Sequence, residues 1–279
     1  MLAAGALLLV LGLYAATSNT VFGNHPKVTA KAATAMPEEH TGELSIDSIL
    51  LRAQARLTPQ QTARLNALEA AMQAAPATER LHGYHQLAQY WYDSLKMFEP
   101  YAWYTAEAAR LENSENSLTF AAHLFLGSLQ AEEDRALKHW KAHEAKDLFE
   151  LALKQNPAND SSKVGLGATL LFGEIAATPM EGILKIRDVV QHDSNNVYAQ
   201  MTLGQASMLS GQLDKAVERF KKVASLQPNN LEVILLLAEA YERTGDKGNA
   251  IVWYKKSLPL SNIPGLHDEV EKHIKEIGK

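Results

Sequence analysis

Val197–Asn230 reads VYAQMTLGQASMLSGQLDKAVERFKKVASLQPNN, and the next stretch, Leu231–Pro264, reads LEVILLLAEAYERTGDKGNAIVWYKKSLPLSNIP. Laid one over the other, Leu203-Gly204 falls on Leu237-Ala238, Ala216 on Ala250, Phe220 on Tyr254 and Val223 on Ser257, each at an offset of 34 residues. Apolar residues recur at helical spacing within each stretch, and Ser210-Gly211 and Thr244-Gly245 interrupt them at the same place. Each stretch therefore predicts two antiparallel helices joined by a tight turn. The residue types have a packing logic. A small residue on the first helix (Gly204, Ala238) admits the small residue of the second (Ala216, Ala250), while Phe220 or Tyr254 fills the space beside the crossing.

Upstream the register loosens but persists. Gly182, Ile186 and Val189 stand where Ala216, Phe220 and Val223 stand, with Leu166-Gly167 as the Leu-small pair of their first helix. Ala145, Phe149, Ala152 and Pro157 repeat the second-helix pattern after an enlarged connection through Ala131 to His143, paired with Leu126-Gly127. Leu87-Ala88 with Ala102, Ala106 and Ala109 form a weaker copy. This predicts degenerate helix pairs over about 81–114, 120–159 and 160–196, regular pairs over 197–230 and 231–264, and a polar capping helix over about 265–279, which a stack of repeats needs at its end. Before the stack, 44–77 reads as an N-terminal helical hairpin. Thr58, Pro59 and Gln61 signal the start of its second helix: a capping hydroxyl, a proline whose missing N–H is harmless there, and an amide that reaches back.

The N-terminus is of another kind. Leu2–Ala16 is an unbroken run of apolar and small residues, so 1–23 is expected to be a transmembrane anchor or a signal segment, and 24–43 a flexible linker. The expected class is all-α: a helix-turn-helix solenoid over 78–279 preceded by one hydrophobic helix.

The runs KVGLGATLLFG from Lys163, PMEGILKIRDVV from Pro179 and AYERTGDKGNAIVWYKKS from Ala240, on a 34-residue period, resemble bacterial tetratricopeptide repeat proteins with a single N-terminal membrane anchor. The resemblance implies an interaction scaffold. In such stacks the first helix of each pair lines the concave face, and positions 2, 5, 9, 12 and 13 of each repeat point into it. These positions are Tyr198, Met201, Gln205, Met208 and Leu209 in one repeat, then Glu232, Leu235, Glu239, Glu242 and Arg243 in the next. Fifth positions Val164, Met201 and Leu235 lack the Lys and Asn with which related repeats grip a C-terminal carboxylate. A partner with apolar anchors and basic residues fits this surface better, although some groove positions in any solenoid instead pack between adjacent repeats.

Composition narrows the functions. Twenty-seven Lys plus Arg against 32 Asp plus Glu give a net charge of -5, so no nucleic-acid partner is expected. The absence of cysteine removes disulfides, thiolate-bound metals and thiol catalysis. His139 and His143 lie four apart beside Glu144, and His82 and His85 three apart, but neither pair brings a third ligand at recognisable spacing. Gly165-x-Gly167 follows no strand, so close helix packing explains it better than a dinucleotide loop. Trp91, Trp103, Trp140 and Trp253 read as aromatic filling. No nucleophile, base and orienting acid group together, so catalytic, cofactor and metal residues are all expected to be none.

The expectation is a membrane-tethered adaptor that holds a protein or peptide partner on its concave face, single-pass, with the repeats on the periplasmic side. Its rivals are a non-catalytic accessory subunit of an envelope enzyme or transport assembly and a helical binding protein secreted after signal cleavage. Repeats facing the cytoplasm are the alternative orientation.

Overall fold

The computed structural model describes residues 44–278. The expected anchor over 1–23 and linker over 24–43 lie outside the described residues. Among the described residues the chain is helical without strands, and no helix there is long and apolar enough to cross a membrane. In chain order the helices are α1 (Ile46–Gln54), α2 (Pro59–Ala74), α3 (Arg80–Gln89), α4 (Phe98–Glu112), α5 (Glu115–Leu126), α6 (Arg135–Gln155), α7 (Asp160–Phe172), α8 (Pro179–His192), α9 (Val197–Leu209), α10 (Leu213–Leu226), α11 (Leu231–Thr244), α12 (Lys247–Ser257) and α13 (Leu266–Ile277). A π-helical turn, Tyr90–Ser94, continues α3. The chain divides into two compact units, at Gly182 and Ile183.

In the first unit α1 packs on α4, α2 on α3, α3 on α4, and α5 on α6, while α6 also meets α7. Thr58 caps α2 as a full capping box: its hydroxyl accepts from the Gln61 amide, and the Gln61 side chain accepts from the Thr58 amide at 2.9 Å. The pattern alanines Ala102, Ala106, Ala145 and Ala152, together with Phe149, are completely buried. Gly165 explains its own identity, since a Cβ there would lie 2.3 Å from the Phe149 ring. A Cβ on Gly182 would in turn strike the Gly167 carbonyl oxygen at 2.4 Å.

One boundary differs from the sequence reading. The enlarged connection through Ala131 to His143 is only partly a connection, because α6 begins at Arg135 and runs unbroken for 21 residues. Asp134 starts it by accepting from the amides of both Ala136 and Leu137. His139 and His143 therefore lie in the first half of a repeat helix rather than on an insertion.

The second unit holds α9 to α13, with α9 on α10, α10 on α11, α11 on α12 and α13 on α12. Its two helix pairs are copies down to single hydrogen bonds. Gly211 N donates to the Met208 carbonyl and Gln212 N to Ser207, and 34 residues later Gly245 N donates to Glu242 and Asp246 N to Tyr241. Gly211 and Gly245 have φ of 72° and 87°, a left-handed turn that glycine adopts without strain. Asn196 and Asn230 cap α9 and α11 through their side-chain oxygens. Ala216, Phe220, Val223, Ala250 and Tyr254 are completely buried. The Phe220 ring lies directly over Gly204, where a Cβ would come within 2.4 Å of it, so the ring itself occupies the room the glycine leaves.

This register makes a prediction about stability. Ala216→Leu forces extra methylenes into a closed helix crossing and is expected to destabilise by about 1–3 kcal/mol. Lys215→Gln, at an exposed neighbour, is expected to change stability by less than about 0.5 kcal/mol. Melting temperatures of the two variants check it, and equal values would mean that the register is misdrawn.

Candidate peptide-binding face

Helices α9 and α11 carry all ten candidate groove residues, and the structure sorts them into three environments. Met201 and Met208, 8% and 6% exposed, lie in a core cluster with Phe220, Ile234 and Leu237. Leu235 is half-buried against the cluster that holds Ala238, Tyr254 and Leu266. These three side chains join neighbouring helices. Methionine suits such a seam because its unbranched thioether fills irregular gaps.

The second group is polar and tied into the fold. The Glu242 carboxylate accepts from the Tyr254 hydroxyl at 3.0 Å and contacts His273 Nε2 at 2.8 Å. The Tyr254 and His273 rings meet edge-on at 5.2 Å. Burial and the nearby carboxylate push the Tyr254 hydroxyl up, so it stays protonated and remains a donor. This network connects α11 and α12 to α13 and fixes the closing helix. Arg243 donates to the Met208 carbonyl at 3.0 Å, supplying a partner to the last turn of α9, and pairs with Glu239 at 3.6 Å.

The third group opens outward at Leu209. Leu209 is 74% exposed, the most exposed of the large apolar side chains described. Tyr198, Gln205 and Glu232 are half-buried. Burial raises the Glu232 carboxyl above its usual range, and among the described residues it has neither a hydrogen-bond nor an ion-pair partner. A desolvated carboxylate without a cation is costly to keep charged, and an incoming ammonium or guanidinium relieves that cost.

The other sequence candidates fall apart as sites. His82, His85 and His143 are exposed, and the Nε2 of half-buried His139 has no hydrogen-bond partner. Among the described residues no three His, Asp or Glu side chains gather as a metal site. Glu144 instead pairs with Arg110, joining α6 to α4. Sequence reasoning also missed a contact: His123 on α5 meets the Ser161 hydroxyl on α7 at 3.0 Å. Burial lowers that imidazole to about 4, so it is neutral at pH 7.

Residues 207–258 match the tetratricopeptide repeat family model. A tetratricopeptide repeat protein from Parabacteroides merdae ATCC 43184 superposes with a TM-score of 0.53 at 14% identity, covering 83% of this chain and 88% of that one, which shows the fold. A MamA fragment from Desulfovibrio magneticus RS-1 gives 0.46 at 22% identity, over 64% of this chain and 94% of its own. YrrB, described as a TPR protein with an unusual peptide-binding site, gives 0.42 at 19% identity, over 74% of this chain and 98% of its own. No curated protein matches the sequence.

Proposed function

We propose that this tetratricopeptide repeat protein is a non-catalytic adaptor, tethered to a membrane by its N-terminal apolar run, whose α9–α11 face holds a basic, partly apolar segment of a protein partner. Glu232 carries the reading. It is a half-buried carboxylate whose ionisation burial opposes, and among the described residues no cation compensates it. Half-buried Gln205 on α9 offers a polar contact surface, and exposed Leu209 offers an apolar one. Buried Met201 and Met208 support the face from beneath. The tether rests on Leu2–Ala16, with the repeats proposed on the periplasmic side.

A cross-linked pull-down from native membranes with the full chain tests this. Glu232→Lys is expected to reduce capture of the partner, with the difference from wild type shrinking as salt rises, because the carboxylate attracts a basic segment. Glu232→Gln, which removes the charge but keeps the shape, should fall between the two. Capture unchanged in both variants, with the same circular dichroism, would exclude the face.

A further inference from the structure

The first unit carries a second recess, remote in sequence from α9 and α11 and opposite in charge. Its apolar floor is Ile49, Met97 and Phe98, its volume is about 430 Å³, and three cations line it: Arg52, Arg56 and Lys96. Arg52 lies in the last turn of α1 and Arg56 two residues past its end. Lys96 stands in the loop leaving the π-helical turn, with φ of 54°, a left-handed conformation that costs a lysine energy to hold. All three are exposed, and among the described residues none has an ion-pair partner.

Two carboxylates also line the recess, and both are already engaged. Glu99 pairs with the Lys141 ammonium at 3.0 Å, and Asp134 accepts from the first amides of α6. The unbalanced charge is therefore positive, in a chain whose net charge is -5. Cations uncompensated around an apolar floor call for a ligand that brings negative charge and an apolar group together. A concave recess of this volume admits a protruding side chain, whereas a lipid surface meets a protein on flat or convex ground.

We propose that this recess is a second docking site, which takes an acidic peptide segment by seating one apolar side chain on Ile49, Met97 and Phe98 with flanking carboxylates on Arg52, Arg56 and Lys96. The adaptor then holds two segments of unlike charge, one on each unit.

Fluorescence anisotropy with the full chain tests it, using a fluorescein-labelled peptide of Asp and Glu around one central Phe. Saturable binding is expected, weakened about tenfold or more by Arg52→Glu with Arg56→Glu, substitutions at exposed positions that leave the helical spectrum unchanged. Lys96→Asn, which keeps a residue tolerant of the left-handed turn, should weaken binding too, and Glu232→Lys should not. A peptide with Gly for Phe should bind several-fold more weakly. The proposal is overturned by an absence of saturable binding, by equal binding to the arginine variant, or by equal binding of the Gly peptide, which would mean plain charge attraction. Capture of phosphatidylglycerol vesicles, lost in the arginine variant, with the peptide ignored would overturn it as well.

Discussion

Phe220→Ala is expected to destabilise the second unit by about 3–5 kcal/mol. The ring is completely buried, and on α9 it lies over Gly204, which has no side chain that can swing into the space. The cavity therefore stays open, and the contacts that join α9, α10 and α11 are lost along with the burial of the ring. Repeat stacks do not always unfold in one step, so hydrogen exchange is the better readout. Amides of α9 to α11 should lose protection while those of α5 and α6 keep theirs. Phe120→Ala is the control: that ring is 55% exposed, and its loss should change little. Equal effects of the two substitutions would contradict the packing described.

Lys141→Met ranks second, at about 3 kcal/mol. The side chain is 4% exposed, and its ammonium lies 2.7 Å from Glu132, 3.0 Å from Glu99 and 5.3 Å from the centroid of the Phe98 ring. Removing it leaves two partly buried carboxylates facing each other without a cation. The cost should be strongly non-additive: adding Glu99→Gln and Glu132→Gln to Lys141→Met is expected to recover a large part of the lost stability, because it removes the stranded charges. Thermal unfolding of the single and triple variants checks this, and a triple variant less stable than the single would refute it.

The architecture was legible because the repeat states it twice. Ala216 and Ala250, Phe220 and Tyr254, and Gly211 and Gly245 occupy matching places in space as in sequence, since each pair solves the same packing or turn problem 34 residues apart. Sequence and structure part where a local signal is weaker than the repeat. Asp134 caps an α6 that begins at Arg135, ten residues before Ala145, where the repeat pattern first shows the helix, so the pattern alone reads its first turns as a connection.

The candidate face was legible only as a set of positions. Periodicity assigns Met201, Met208 and Leu209 to one side of α9, but it does not say which of them the next helix covers; α10 and α11 cover the two methionines, and Leu209, past the end of that seam, stays open. The partners of Glu242 lie 12 and 31 residues away, at Tyr254 and His273, beyond any local pattern. Arg52, Arg56 and Lys96 likewise meet only because α1 packs back on α4.

If the α9–α11 face, rather than the outer helices, meets the partner, positions on that face should crosslink to it and outer positions should not. Photo-crosslinking amino acids placed singly at Gln205, Leu209 and Glu232, and at outer positions Lys221 and Val252, test it in native membranes. One and the same adduct is expected from the first three and none from the last two, with the Gln205 adduct, formed with the Glu232 carboxylate intact, weakening as salt rises. Adducts from Lys221 or Val252 with none from the face would contradict it.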